Sequence, residues 1–276
     1  MKCFSLFFVL LFSVACQQMP LVDEGPSTFS STFIGTDIPY AVHLPDLNSQ
    51  QEEKKSHENG QKTLLDLLVL LDGQDYFGTA ANVNDLYHFA EVMRPTMIVS
   101  LPSTMETRWR DYTPTVAQAD NDGTVKDSYQ HSGGFEAFAD FLEKELIPHL
   151  EQTFQCQFED KALFGHSLGG LGVLSFFVLR PAIFDHYICA SPSTMYDQHY
   201  IFKELEKREQ LTYQKFFLTV AGAEPNGYIS NHEWLSEYLN DRQQTDQQFS
   251  AKMYAQDQHA TSGIQSLIDG MRFLAE

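Results

Sequence analysis

The chain has 276 residues, 43% of them hydrophobic and 13% aromatic, which is ample for a buried core. Lys and Arg number 18 against 37 Asp and Glu, a formal charge of −19. Such a surface repels phosphate, so nucleic acid is excluded as a partner and anionic lipid headgroups are disfavoured. Four cysteines are too few for a disulfide framework. With no C-x-x-C pair and no H-E-x-x-H, neither a metal site nor a cofactor is read.

Lys2 precedes an apolar run from Phe4 to Ala15, too short to span a bilayer and suited to a signal-peptide core. It ends at Ser13-Val14-Ala15-Cys16, which resembles a bacterial lipobox, with Ser13 where a large aliphatic residue is usual. Residues 1–16 are therefore expected to direct export, with Cys16 acylated as the mature N-terminus. The alternative is ordinary cleavage near Ala15 or Cys16. Membrane attachment is expected only through that lipid. Residues 17–28, with Pro20 and Pro26, read as a tether, and 29–276 as a single domain. Cys156 and Cys189 read as packed and inert.

Phe29–Ile34 and Ile38–Leu44 are strand-like and joined by Gly35-Thr36-Asp37. Ile38, Tyr40, Val42 and Leu44 alternate onto one face. Asn48–Thr63 has no apolar period and reads as a solvated loop. Leu64–Leu71, Met97–Leu101, Ala162–Phe164, Tyr187–Ala190 and Phe216–Ala221 are short apolar runs, the first as a strand covered on both faces must be, and Phe249–Tyr254 reads as the last strand. Between them, Phe135–Leu150, Leu168–Leu179, Ile229–Leu239 and Ser262–Leu274 carry helical patterns, the last with Ser262 as N-cap. This alternation predicts an α/β fold: a mostly parallel central sheet with an antiparallel N-terminal edge and helices on both faces.

Gly165-His166-Ser167-Leu168-Gly169 matches G-x-S-x-G between a strand and a helix, the setting of a nucleophile elbow. The tight turn exposes Ser167 in a strained conformation. A serine needs a base, and on this fold the order along the chain is Ser, acid, His. Among His199, His232 and His259, only His259 lies in a loop after the last strand, so it is the expected base. Glu224, after the strand ending at Ala221, is the expected acid, with Asp257 its main competitor and Asp241 and Glu233 less well placed. The amides of Leu168 and of Gln74, in Leu71-Asp72-Gly73-Gln74-Asp75, are the expected oxyanion donors.

Five blocks recur in the order of a known family: Leu71–Phe77, Arg108–Thr115, Glu145-Leu146-Ile147-Pro148, Gly165–Leu171 and Ser191-Pro192-Ser193. Together they resemble the putative-esterase family of α/β-hydrolases over about residues 29–274. The block around Arg110 is most similar to its periplasmic siderophore esterases. The resemblance implies Ser167 as nucleophile, His259 as base and Gln74 as oxyanion donor. It puts an acid at Glu224, although some siderophore esterases work with Ser and His alone. It also implies that Arg108 or Arg110 receives anionic or catecholate groups. For Arg110 the alternative is a structural pair with Asp111.

The function expected from this reading is an exported serine esterase acting on a small-molecule ester, without metal or cofactor. Two rivals stand beside it. One is an acyltransferase to a cell-envelope acceptor, which would use the same site. The other is a non-catalytic ligand-binding lipoprotein.

Overall fold

A computed structural model describes residues 22–45, 62–119 and 123–276. The leader, Cys16 and most of the Asn48–Thr63 loop lie outside the described residues. Eight strands form one sheet: β1 (Val22–Ser30), β2 (Asp37–Leu44), β3 (Thr63–Leu71), β4 (Thr96–Leu101), β5 (Cys156–His166), β6 (His186–Ala190), β7 (Lys215–Ala221) and β8 (Gln248–Tyr254). Their order is β1-β2-β4-β3-β5-β6-β7-β8. β2 runs antiparallel to β1 and β4, and the remaining pairings are parallel. The expected antiparallel N-terminal edge on a parallel sheet is therefore present.

One boundary differs from the sequence reading. β1 begins at Val22, inside the stretch read as a tether, and Ser31–Thr36 is a turn rather than strand. An edge strand needs only backbone pairing on one side, so polar residues suffice. Pro26 sits where the β1–β2 register shifts between Glu24 and Ser27, a place where a missing N–H is tolerated. The turn is held by Glu145, which accepts hydrogen bonds from the Ser31 hydroxyl at 2.7 Å and the Thr32 amide at 2.9 Å.

Helices cover both faces. α1 (Gly73–Phe89) and α8 (His259–Ala275) pack on one. The other carries α2 (Met105–Tyr112), α3 (Phe135–Phe141), α4 (Ile147–Thr153), α5 (Leu168–Leu179), α6 (Tyr196–Glu206) and α7 (Asn226–Arg242). A π-turn, Leu142–Leu146, joins α3 to α4. Along β3 the side chains alternate between the two layers. Leu67, Val69 and Leu71 enter the larger core, and Leu68 and Leu70 the smaller one with Tyr76, Leu267 and Met271. All five leucine and valine residues are at most 1% exposed, as a central parallel strand requires.

The sequence reading passed over α1, α2 and α6. It also started α8 too late: the cap is Gln258, paired with Thr261 in a capping box, and Ser262 lies inside the helix. Cys156 and Cys189 are both buried and free.

Candidate active site

The site sits at the carboxyl ends of the parallel strands, where open α/β sheets place their crevice. β5 ends at His166, and α5 begins at Leu168. Ser167 is the whole turn between them, with φ 60° and ψ −116°, a conformation that costs an L-residue energy. The turn is pinned from both sides. The Ser167 amide donates to the Ala190 carbonyl at 2.9 Å, and its carbonyl accepts from the Ser193 amide at 3.0 Å. Gly165 makes the turn possible, because a Cβ there would lie 2.3 Å from the Gly169 carbonyl oxygen.

His259 is the first residue of α8 rather than a loop residue, and its side chain is 35% exposed. Its Nε2 lies 2.8 Å from Ser167 Oγ. On the other side of the ring, Nδ1 lies 3.0 Å from Glu224 Oε2. The Glu224 side chain is fully buried, and its Oε1 accepts from the Ser191 hydroxyl and from the Ala221 amide at 3.1 Å. Burial alone would raise the Glu224 carboxyl. The hydrogen bonds from His259, Ser191 and Ala221 outweigh it and hold the group below its ordinary value. Glu224 is thus an ionised acceptor, which favours a proton on His259 Nδ1 and leaves Nε2 to face the serine hydroxyl.

The other candidates lie elsewhere. Glu233 and Asp241 are exposed on α7. Asp257 contributes its backbone carbonyl to the Ala223 amide at 3.1 Å, tying the Glu224 loop to the turn before His259. His199 packs beside Phe202 on α6, and His232 is buried on α7, where burial pulls it down to about 4.

Leu168 and Gln74 are the first and second residues of α5 and α1, where amides have no partner within the helix. Asp72 caps α1 in the left-handed region, with φ 54°. Gly73 lets the helix start hard against β4: a Cβ there would lie 2.8 Å from the Leu101 nitrogen. The Arg108–Thr115 block braces this corner. Arg108 Nε is 2.9 Å from Asp72 Oδ1, and the Tyr112 hydroxyl accepts from the Asp72 amide at 3.0 Å.

The two arginines separate sharply. Arg108 lines the clefts at Ser167. Arg110 lines neither, and its guanidinium donates to both oxygens of Asp111 at 2.6 and 2.9 Å. Its expected substrate contact therefore gives way to the structural pair. Neighbouring residues on a helix point about 100° apart, so only one of two arginines spaced by two can face the crevice.

Ser167 stands between two clefts. One, of about 170 Å³, is walled by Trp109, Tyr196, Tyr228, Met195, Arg108 and Lys126. The other, about 480 Å³, is bounded by Gln74, Asp75, Tyr76, Met105, His166 and His259. Two residues at the site went unassigned from sequence. The His166 ring lies 4.7 Å from that of His259, tilted by 41°, and is pulled down to about 4 by burial and then by the nearby His259. Ser191, just past the end of β6, reaches Glu224. His166 stood inside the elbow motif, and Ser191 inside a recognised block, but neither spacing tells where the side chain points.

The chain has counterparts among known proteins. The chain is 32% identical over 158 residues to Ferri-bacillibactin esterase BesA of Bacillus subtilis, covering 53% of this chain and 54% of BesA. It is 35% identical over 94 residues to Apo-salmochelin esterase of Escherichia coli, covering 34% of this chain and 29% of that protein. The chain thus spans about half or less of the length of these relatives. Among solved structures, an IroE-like serine hydrolase from Shewanella oneidensis superposes with a TM-score of 0.76 at 24% identity, over 91% of this chain and 79% of that one. The BES protein from Bacillus cereus superposes at 0.74 and 23% identity, over 96% and 99%. At those identities the structural likeness establishes the fold. The family described as Putative esterase matches residues 31–267, most of the chain and every element of the site, and the protein belongs to that family.

Proposed function

We propose that this protein is an exported serine esterase working through an acyl-enzyme. The observation that carries the reading is the relay on a strained elbow: Ser167 Oγ to His259 Nε2 at 2.8 Å, and His259 Nδ1 to Glu224 Oε2 at 3.0 Å. Ser167 attacks the ester carbonyl while His259 Nε2 takes its proton, and Glu224 stabilises the imidazolium that forms. The Leu168 and Gln74 amides receive the negative charge on the carbonyl oxygen. His259 returns the proton to the leaving alcohol, and water then releases the acid by the same steps in reverse.

The cleft walls suggest the substrate. Trp109, Tyr196 and Tyr228 offer aromatic faces beside Arg108 and Lys126, a setting for an aromatic ester with acidic substituents. Two further similar proteins, from Aspergillus fumigatus and Emericella nidulans, are named as siderophore esterases and point the same way, so we assign a siderophore-type ester as substrate. The leader motif supports export, with lipid on Cys16. A mass shift at that residue, abolished in Cys16→Ala, is the expected result.

The test is a panel of p-nitrophenyl esters of rising chain length, a feruloyl ester and a catecholate trilactone. The trilactone should have the highest kcat/KM. Ser167→Ala should lose roughly 10⁴-fold or more on every active ester. Hydrolysis by the alanine variant at the wild-type rate would overturn the mechanism.

A further inference from the structure

The block Ser191-Pro192-Ser193 has no part in the relay described above, yet it touches both ends of it. The Ser193 amide holds the Ser167 carbonyl at 3.0 Å, and the Ala190 carbonyl, just before the block, holds the Ser167 amide. Ser191 is fully buried and sits at φ 41°, in the left-handed region that a side chain enters only at a cost. Its amide is fixed by the Thr219 carbonyl at 2.9 Å. In this buried position its hydroxyl donates to Glu224 Oε1.

We infer that Ser191 is a positioning residue of the esterase reaction: its hydroxyl fixes the Glu224 carboxylate, and through it the tautomer and orientation of His259. The inference rests on the esterase reading given above. An ionised carboxylate is acceptor-only, so each of its oxygens needs donors if it is to stay charged while buried. Oε1 has two, Ser191 and the Ala221 amide. With both filled, Oε2 remains for His259 Nδ1. Ser262 closes the arrangement. Its hydroxyl donates to the His259 carbonyl at 3.2 Å and lies 3.5 Å from the Ser191 hydroxyl.

The backbone supplies an unusually clean test. At a positive φ, glycine is the residue that fits without strain, so in Ser191→Gly the relief of backbone strain offsets part of the cost of the lost hydroxyl and the variant should fold. Ser191→Ala keeps Cβ and lacks only the hydroxyl. Both variants should lose about 10- to 100-fold in kcat, the worth of one hydrogen bond to a charged group, with KM little changed. The acid limb of their pH–rate profiles should move to higher pH, because the carboxylate has lost a donor and holds the imidazolium proton more tightly. Rates are normalised by fluorophosphonate titration, so that only folded enzyme counts. Wild-type kcat with an unmoved acid limb in Ser191→Gly, while Ser167→Ala is inactive, would overturn this inference and leave the esterase reading standing. Full activity in Ser167→Ala would overturn the esterase reading, and this inference with it.

Discussion

The two ends of the central sheet each gather a network of charges, and they differ in the kind of cation at the centre. At the amino ends of the strands, Arg94 donates to Asp66 at 2.6 and 3.0 Å, to Glu159 at 2.5 Å and to Asp160 at 2.8 Å, beside a cavity of about 630 Å³. At the carboxyl ends, Glu224 meets His259 beside clefts that are smaller. Cavity size alone would choose the wrong end. Arginine stays protonated at every accessible pH, so the Arg94 cluster can hold geometry but cannot move a proton. The histidine can accept one from Ser167 and return it. Exposure adds to the contrast: the Arg94 side chain is 51% exposed, whereas Glu224 has none. Water screens the first network and leaves the second to act at full strength.

Substitutions at the two ends should separate them. Glu224→Gln removes the charge that stabilises the imidazolium and should lower kcat by about 10²-fold or more in a p-nitrophenyl ester assay. An unchanged rate would mean that Ser167 and His259 act as a dyad and that the two carboxylate networks are alike in being structural. Acid should reach the active-site end in a second way. Burial, then the nearby His259, pull His166 from the ordinary histidine value to about 4. The unfolded chain therefore takes up its proton first as pH falls, so stability present above about pH 6.5 declines toward pH 4. Glu224 acts at lower pH. Its carboxyl lies below its ordinary value, so its contribution is present above the unfolded value and is lost as pH falls through the folded one. Calorimetry from pH 7 to pH 4 should show the declining Tm, and His166→Asn should flatten the slope. The smallest effect is expected at the far end. Arg94→Ala should leave kcat/KM within about twofold and cost roughly 1 kcal/mol or less, because its ion pairs are exposed. A large loss of activity there would break the distinction between the two ends.

Elements whose cause is local were readable in the residues. The elbow is a single turn with glycines at fixed spacing, and α5 is apolar on every side, so both follow from neighbours in the chain. β3 is a continuous apolar run for the same reason that it is buried on both faces. α1 escaped notice because its buried positions are Gly73, Tyr76, Ala80, Asn84 and His88. They keep a helical spacing but include three that carry no apolar signal. α2 intersperses Met105, Trp109 and Tyr112 among charged and polar residues, and the residues it buries are Asp111 and Tyr112. β1 pairs along one edge and runs through Pro26, Ser27 and Thr28 before Phe29 packs on Phe141, so its first residues carry the composition of a tether.

By itself the sequence determined the sheet-forming runs, the elbow at Ser167, the chain order in which an acid and then His259 follow it, and an acidic composition. These follow from periodicity, turn chemistry and chain order, all properties of residues close together. Tertiary structure decided that the carboxylate at His259 is Glu224, that Arg108 faces the crevice while Arg110 turns to Asp111, and that Ser191 reaches across 33 residues to the same carboxylate. Those meetings depend on the parallel registers of β5, β6, β7 and β8, which bring the loops after each strand to one edge. No spacing along the chain carries that information, because the register is set by packing between strands rather than by the residues of any one loop.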